Sequence, residues 1–250
     1  MLSFADMGEN EGRIALFAGA SGLVGAQVLE ALLATSEFSR VYAVTRRGLG
    51  RDHPRLANRI VQFDRLEEQL KGTQCHTAFC CLGTSLRTAG SEQALRQVQV
   101  GYVVAFARAA RAAQAQRLIV LSCAGADQKS RRPEARFAAE AEQAMEALGF
   151  GSLDILQPGA IRGLHRGGGP AELARLALMP LLDLTRVGAR EPLRSVSPRL
   201  IGAAMLGAAR SGRRGVYRYT CAQIHALANY KPPRRPTSSQ SPAKSAQPPR

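Results

Sequence analysis

The sequence predicts an α/β fold, a doubly wound parallel sheet with helices on both faces and a small C-terminal lobe at its substrate end. Three observations predict it. Strand-like apolar runs alternate with helix-like runs from residue 13 to residue 156, and such alternation builds right-handed crossovers and a parallel sheet covered on both sides. A spaced glycine triplet, Gly19, Gly22 and Gly25, falls between the first strand and the first helix. The 250 residues are 45% apolar but only 5% aromatic. Alanine, leucine, valine and glycine therefore do the packing, at a size that suits one domain with a sizeable core.

The elements follow in order. "RIALFA" (13–18) reads as a short apolar strand and "LVGAQVLEALLA" (23–34) has helical periodicity. Strands are expected at "RVYAVT" (40–45), "RIVQF" (59–63) and "HTAFCCL" (76–82). One long helix is expected over 91–114, opened by Ser91 as a capping residue. "RLIVLS" (117–122) is the next strand, and the helix over 133–148 carries Pro133 in its first turn, where a missing N–H does no harm. "SLDIL" (152–156) ends the regular series. Beyond Pro158 the pattern loosens into a glycine-rich loop at 163–169, a helix at 170–184 interrupted by Pro180, and a helix at 197–212 stopped by Gly212. "GVYRYT" and "CAQIHALA" close the series as a strand and a short helix. The expected organisation is one domain over 13–228, with a cofactor core at 13–156 and the substrate-side lobe at 157–228. Residues 229–250 are mostly proline, serine and basic residues with little to bury, and disorder is expected there.

Charge and cysteine usage narrow the function classes. The net charge is +15, a balance that favours anionic ligands. The basic residues are scattered and no aromatics interleave with them, so no specific nucleic-acid role is expected. Cys75, Cys80, Cys81, Cys123 and Cys221 form no CxxC pair, which suits a reducing compartment. Cys80 and Cys81, adjacent on a strand, point to opposite faces and read as buried residues. His53, His76, His165 and His225 show no metal-ligand spacing, and no metal is expected. The first thirteen residues show no basic-then-apolar signal, and no stretch of 18 residues is apolar enough to span a bilayer. The expectation is a cytoplasmic protein with no membrane partner; a homodimer through a sheet edge or a helix pair would be common for such a fold.

The glycine loop carries the chemistry. Gly19 allows the tight turn off the strand. Gly22 lets the backbone approach a pyrophosphate, and Gly25 lets the helix pack against the sheet. The turn Ser21, Gly22, Leu23, Val24 and Gly25 would then offer N–H groups and the helix dipole to the phosphates of a nicotinamide dinucleotide. After the second strand comes "VTRRG", without the acid that an NAD site usually places there. Arg46 and Arg47 suit the 2′-phosphate of NADP(H) instead, although two solvated arginines would look the same. Asp64, after the third strand, is placed to accept from the adenine amino group or merely to cap a surface helix. Leu82, Gly83 and Thr84, after the fourth strand, lie beside the expected path of the nicotinamide ribose.

These residues carry a family likeness. The chain resembles the short-chain dehydrogenase/reductase superfamily in its atypical branch, and most of all the Tat-interacting-protein oxidoreductase group. The likeness rests on "GASGLVG", "RRG", "FDRLEEQ", "FCCLGTSLRTAGSE", "VLSCAGAD" and "QPGAIRG". It implies a Rossmann-like fold with NADP(H) in the cleft. It also implies that Ser122 occupies the position of a serine that hydrogen-bonds a substrate carbonyl, and that Pro158 and Gly159 lie against the nicotinamide. The pattern breaks on the helix at 133–148. Where the family places a tyrosine acid and, four residues on, a lysine, this chain has Glu134 and Ala138. A positioned acid contributes about 10²–10⁴ in rate. Three functions remain open: a cofactor-dependent binding or regulatory protein that a small molecule or protein partner reads; a reductase of flavins, quinones or similar conjugated acceptors that need no protein acid; and ordinary carbonyl reduction.

Overall fold

The computed structural model describes residues 12–161 and 195–230. Seven parallel strands form one sheet in the order β3-β2-β1-β4-β5-β6-β7. They are β1 (Arg13–Ala18), β2 (Phe38–Thr45), β3 (Leu56–Ile60), β4 (Thr77–Cys80), β5 (Arg117–Leu121), β6 (Ser152–Leu156) and β7 (Gly215–Tyr219). The α-helices among the described residues are α1 (Leu23–Ala34), α2 (Leu66–Gln69), α3 (Leu86–Ala89), α4 (Glu92–Arg96), α5 (Val103–Ala112), α6 (Pro133–Glu146), α7 (Pro198–Arg210) and α8 (Cys221–Ala228).

The central strand shows why both faces must be covered. Ala15, Leu16, Phe17 and Ala18 of β1 have no exposed surface at all. Their side chains alternate. Ala15 and Phe17 join the layer of Val28, Leu32, Ile201 and Met205 from α1 and α7. Leu16 and Ala18 join Phe106, Ala110 and Met145 from α5 and α6 on the other face. The α1 layer is unusually close. A Cβ at Gly202 would stand 2.9 Å from the Gln27 carbonyl oxygen, and one at Gly207 only 2.0 Å from that of Leu227. Alanine at either site would push α7 away from α1 or α8.

The doubly wound sheet is as expected, and two local readings change. The third strand runs over Leu56–Ile60 rather than 59–63. Val61 and Phe63 are buried beyond the strand end, Phe63 opening a 3-10 turn, Phe63–Arg65, and packing on Tyr102 at 5.3 Å between ring centres. The helix expected over 91–114 is interrupted by a π-helical segment, Gln97–Tyr102, between α4 and α5. Ser91 does cap α4, accepting from the Ala94 N–H at 3.1 Å. Residues 198–228, expected within the C-terminal lobe, pair β7 with β6 and lay α7 and α8 on the α1 face. The loop at 163–169, the helix at 170–184 and the tail beyond 230 lie outside the described residues.

The opposite end of the sheet holds a buried polar group that is structural. Asp154 on β6 is wholly inaccessible. It accepts from Arg117 at 3.1 Å, from the Tyr219 hydroxyl at 2.8 Å and from the Ser152 hydroxyl at 2.8 Å. Burial pushes its carboxyl above the usual range, although all three partners pull the other way. Arg117 opens β5, so this network sits away from the C-terminal strand ends where ligands bind in such sheets.

Candidate cofactor and substrate cleft

The strand order reverses between β1 and β4, and a cleft of about 770 Å³ opens there. That is the place where an open α/β sheet receives its ligand. The turn from β1 into α1 forms one wall. Gly19 has φ +95°, in the left-handed region. A Cβ there would lie 2.5 Å from the Cys81 carbonyl carbon, so β1 and β4 close up only over glycine. At Gly25 a Cβ would lie 1.8 Å from the Gly19 oxygen, which forces α1 to begin with glycine packed on the turn. Gly22 differs from both. Its backbone is extended at φ −79° and ψ 169°, and a Cβ would meet nothing nearer than the Gly19 oxygen at 3.4 Å. The fold tolerates a side chain at Gly22, and glycine there leaves the start of α1 exposed. No side chain caps this end of α1 and no acid lies in its first turn. Its N–H groups are left for an anion. Leu23 and Val24 line the same wall, and Ser21 is exposed in the turn.

The outer end of the expected cofactor path is polar. Arg46 and Arg47 are exposed directly after β2, and among the described residues no ion pair holds either guanidinium. Asp64 is exposed and accepts from Gln97 Nε2 at 3.4 Å. Burial, and then the Asp64 carboxylate, push the neighbouring Tyr102 hydroxyl above its usual range. Arg46, Arg47 and Asp64 stand outside the cleft's inner walls, whereas Leu82, Gly83 and Thr84 line them.

At the inner end, Ser122 lines the cleft just past β5, and its Oγ donates to Glu142 Oε1 at 2.5 Å. Glu142 also accepts from Gln157 Nε2 at 2.9 and 3.1 Å and from Arg218 Nε at 3.0 Å. Glu134 and Ala138 face the cleft from α6, as their spacing required. Glu134 is engaged: its Oε1 accepts from the Leu86 backbone N–H at 3.3 Å, tying α6 to α3. Ala138 leaves open space. Pro158 is buried, its carbonyl accepting from the Ala124 N–H at 2.9 Å. Neither Pro158 nor Gly159 forms part of the cleft wall, but Ile161, just beyond them, does.

The cleft cysteines are not poised for thiolate chemistry. Burial raises Cys81 and Cys123, which line the cleft, and takes Cys75 and Cys80 up to about 12. Cys80 is fully inaccessible. No group of acids, histidines and cysteines among the described residues is arranged to hold a metal.

Two cleft residues escaped the sequence reading. Glu142 lies eight residues beyond Glu134, so the helical spacing that puts Glu134 and Ala138 on one face puts Glu142 there too. Its burial and its partner Arg218, 76 residues away, carry no local signal. Gln99 sits in the π-helical segment, lines the cleft and donates through Nε2 to the Thr84 carbonyl at 2.9 Å. Its Oε1 is buried with no hydrogen-bond partner. Extra-residue turns of this kind often mark functional sites, but nothing in "RQVQVGY" announces one.

Comparison with known proteins agrees with this geometry. A profile of the NAD dependent epimerase/dehydratase family matches residues 15–143, just over half of the chain. The chain belongs to that family. Protein HTATIP2 of Rattus norvegicus is 33% identical over 183 residues, covering 71% of this chain and 75% of the rat protein. Protein fmp52 of Aspergillus fumigatus, described as mitochondrial, is 32% identical over 163 residues, 62% of this chain and 70% of its own. Among solved structures, a short-chain dehydrogenase/reductase superfamily protein from Agrobacterium tumefaciens with bound NAD superposes with a TM-score of 0.63 at 14% identity, over 86% of this chain and 81% of that one. At that identity the structural likeness speaks for the fold alone. The expected superfamily and the expected group within it are both borne out.

Proposed function

We propose that this member of the epimerase/dehydratase family binds NADP(H) and uses it chiefly as a regulatory ligand, the bound cofactor setting the shape of the substrate side for a partner to read. One contrast carries the reading. The phosphate turn is complete, with Gly22 left open and α1 uncapped, while the helix face that carries the family's tyrosine and lysine presents Glu134 and Ala138. Glu134 is tied to the Leu86 N–H rather than free to serve as an acid. Ser21 to Gly25 would hold the pyrophosphate. Arg46 and Arg47 would meet a 2′-phosphate, and Leu82, Gly83 and Thr84 would line the ribose path. A bound nicotinamide supplies a hydride; what this chain lacks is the matching proton donor. The family match and the NAD-bound neighbours support a dinucleotide, and the paired arginines support the phosphorylated form.

A second reading has its own observation. Ala138 leaves open space in a cleft whose walls include Leu82, Val103, Val120 and Met145, which suits a flat conjugated acceptor such as a flavin or quinone. One experiment separates the readings. Binding of NADPH and NADH is titrated, and NADPH oxidation is followed with a panel of aldehydes and ketones and a panel of quinones and flavins. The regulatory reading expects NADPH to bind and neither panel to turn over. Steady oxidation with quinones or flavins supports the second reading, and brisk carbonyl reduction overturns both.

A further inference from the structure

Ser122 has one proton, and the structure shows where it goes. Its Oγ donates to Glu142 Oε1 at 2.5 Å. Glu142 is acceptor-only when ionised, is buried to 3% exposure, and is ion-paired with Arg218 at 3.0 Å. Its oxygens also receive Gln157 Nε2. Every partner of Glu142 is a donor, so the carboxylate, which lines the cleft with Ser122, holds the serine proton. A charge-assisted bond of this kind is about twice as strong as a neutral one. Ser122 is left to face the cleft with its lone pairs. Gln99 also lines the cleft; its Nε2 is fixed on the Thr84 carbonyl, and its Oε1 is buried and unpartnered.

We infer that Glu142 is a positioning residue that turns Ser122 into a hydrogen-bond acceptor, and that the cleft therefore selects a ligand presenting a donor, an alcohol hydroxyl or an N–H, in place of a carbonyl. The inference rests on the cofactor-cleft reading above for its location, and on the Ser122–Glu142–Arg218 contacts for its polarity. It reverses the role that the family likeness implies for Ser122. The carboxamide of the cofactor also carries an N–H, so the test must distinguish it from a separate ligand.

The probes are cumyl alcohol and acetophenone, similar in size, one a donor and one acceptor-only, neither of which can exchange hydride with NADP⁺. Binding of each to the NADP⁺-loaded full chain is measured by ligand-observed NMR. The wild type should prefer the alcohol by about threefold to tenfold, the range that one net hydrogen bond supplies. Ser122→Ala should remove that preference and leave the ketone unaffected. Glu142→Gln can turn an amide N–H toward Ser122 and release the serine proton into the cleft, so it should shift the preference toward the ketone. Loss of packing alone predicts no such reversal. Equal binding of both probes, binding of neither, or a ketone preference in the wild type overturns the inference. So does an unchanged order in a folded Glu142→Gln. A Ser122→Ala defect confined to NADP⁺ affinity assigns the donor to the cofactor carboxamide and overturns the ligand selectivity. If Glu142→Gln does not fold, the wild-type order and Ser122→Ala still decide. If NADP⁺ itself fails to bind, the cofactor reading falls, and the probe order measured without it still tests the polarity of Ser122.

Discussion

Gly22→Val separates cofactor binding from folding, because the three glycines of the turn meet different neighbours. At Gly22 the backbone is extended and a Cβ touches only the Gly19 oxygen, at an ordinary 3.4 Å. The local cost is that of an apolar residue in place of glycine at a helix N-cap, about 0.5–1 kcal/mol. For a chain of this size that lowers the melting temperature by no more than about 4 °C. The two valine methyls would project from the uncapped end of α1 into the approach of a pyrophosphate. Wild-type protein at a hundredfold excess of NADPH over its dissociation constant gains about 2.7 kcal/mol, or about 5–11 °C. The variant should lose that gain. Gly25→Ala is the control in the opposite sense. Its Cβ would fall 1.8 Å from the Gly19 oxygen, and overpacking of this kind costs about 1–3 kcal/mol or more with or without ligand. The assay is differential scanning fluorimetry of the three proteins with and without NADPH. A Gly22→Val protein that keeps the wild-type ligand shift would show that the phosphates bind elsewhere.

Arg46→Ala with Arg47→Ala should weaken NADPH by about 1.5–3 kcal/mol for each charged hydrogen bond lost and leave NADH unchanged; equal affinities for the two cofactors in wild-type calorimetry would sink the assignment. Arg117→Met leaves Asp154 buried without its counter-charge and should cost about 3–5 kcal/mol in urea unfolding at neutral pH. Because burial raises the Asp154 pKa in the folded state, its favourable contribution is present below the ordinary carboxylate range and is lost as pH rises through the raised value; Asp154→Asn should remove that segment of the stability–pH curve. Glu134→Tyr with Ala138→Lys puts a tyrosine and a lysine on the cleft face of α6, and under the proposed reading carbonyl reduction should rise by at most about 10²–10⁴, assayed as NADPH oxidation with an aldehyde panel.

The cofactor end of the molecule was legible because its signals are local. A turn that closes on its own backbone needs glycine at fixed offsets, and Gly19 and Gly25 meet such contacts within the turn or with the next strand. Alternating apolar runs were enough for the sheet, because strands buried on both faces have little else to be made of. The inner end was less legible because its polar groups are satisfied across long separations. Glu142 is held by Arg218 from a strand that the sequence assigned to the substrate-side lobe, and Gln99 sits in a π-helical segment that no local sequence signal announces. The third strand was misplaced for a related reason. Val61 and Phe63 are apolar because they pack under the chain as it leaves the sheet, and an apolar run does not say which of these it serves.

The polarity of Ser122 bears on why introducing tyrosine and lysine alone should fall short. Hydride addition to a carbonyl leaves negative charge on its oxygen, and catalysis depends on donors already aimed at that oxygen. Here Ser122 has its proton on Glu142, and the Glu142 carboxylate lines the same cleft. The developing alkoxide would meet these acceptors, a cost that an added acid does not remove. Glu142→Gln added to the Glu134→Tyr, Ala138→Lys pair should therefore exceed the pair itself. Freeing the Ser122 proton gives the oxyanion a second donor, a contribution of the size seen when one such donor is removed elsewhere, about 10²–10³ in turnover as an upper bound. The comparison is the turnover number of pair and triple on one aldehyde at saturating NADPH. A triple variant that binds NADPH as tightly as the pair but turns over no faster would show that the serine proton was never withheld from the cleft.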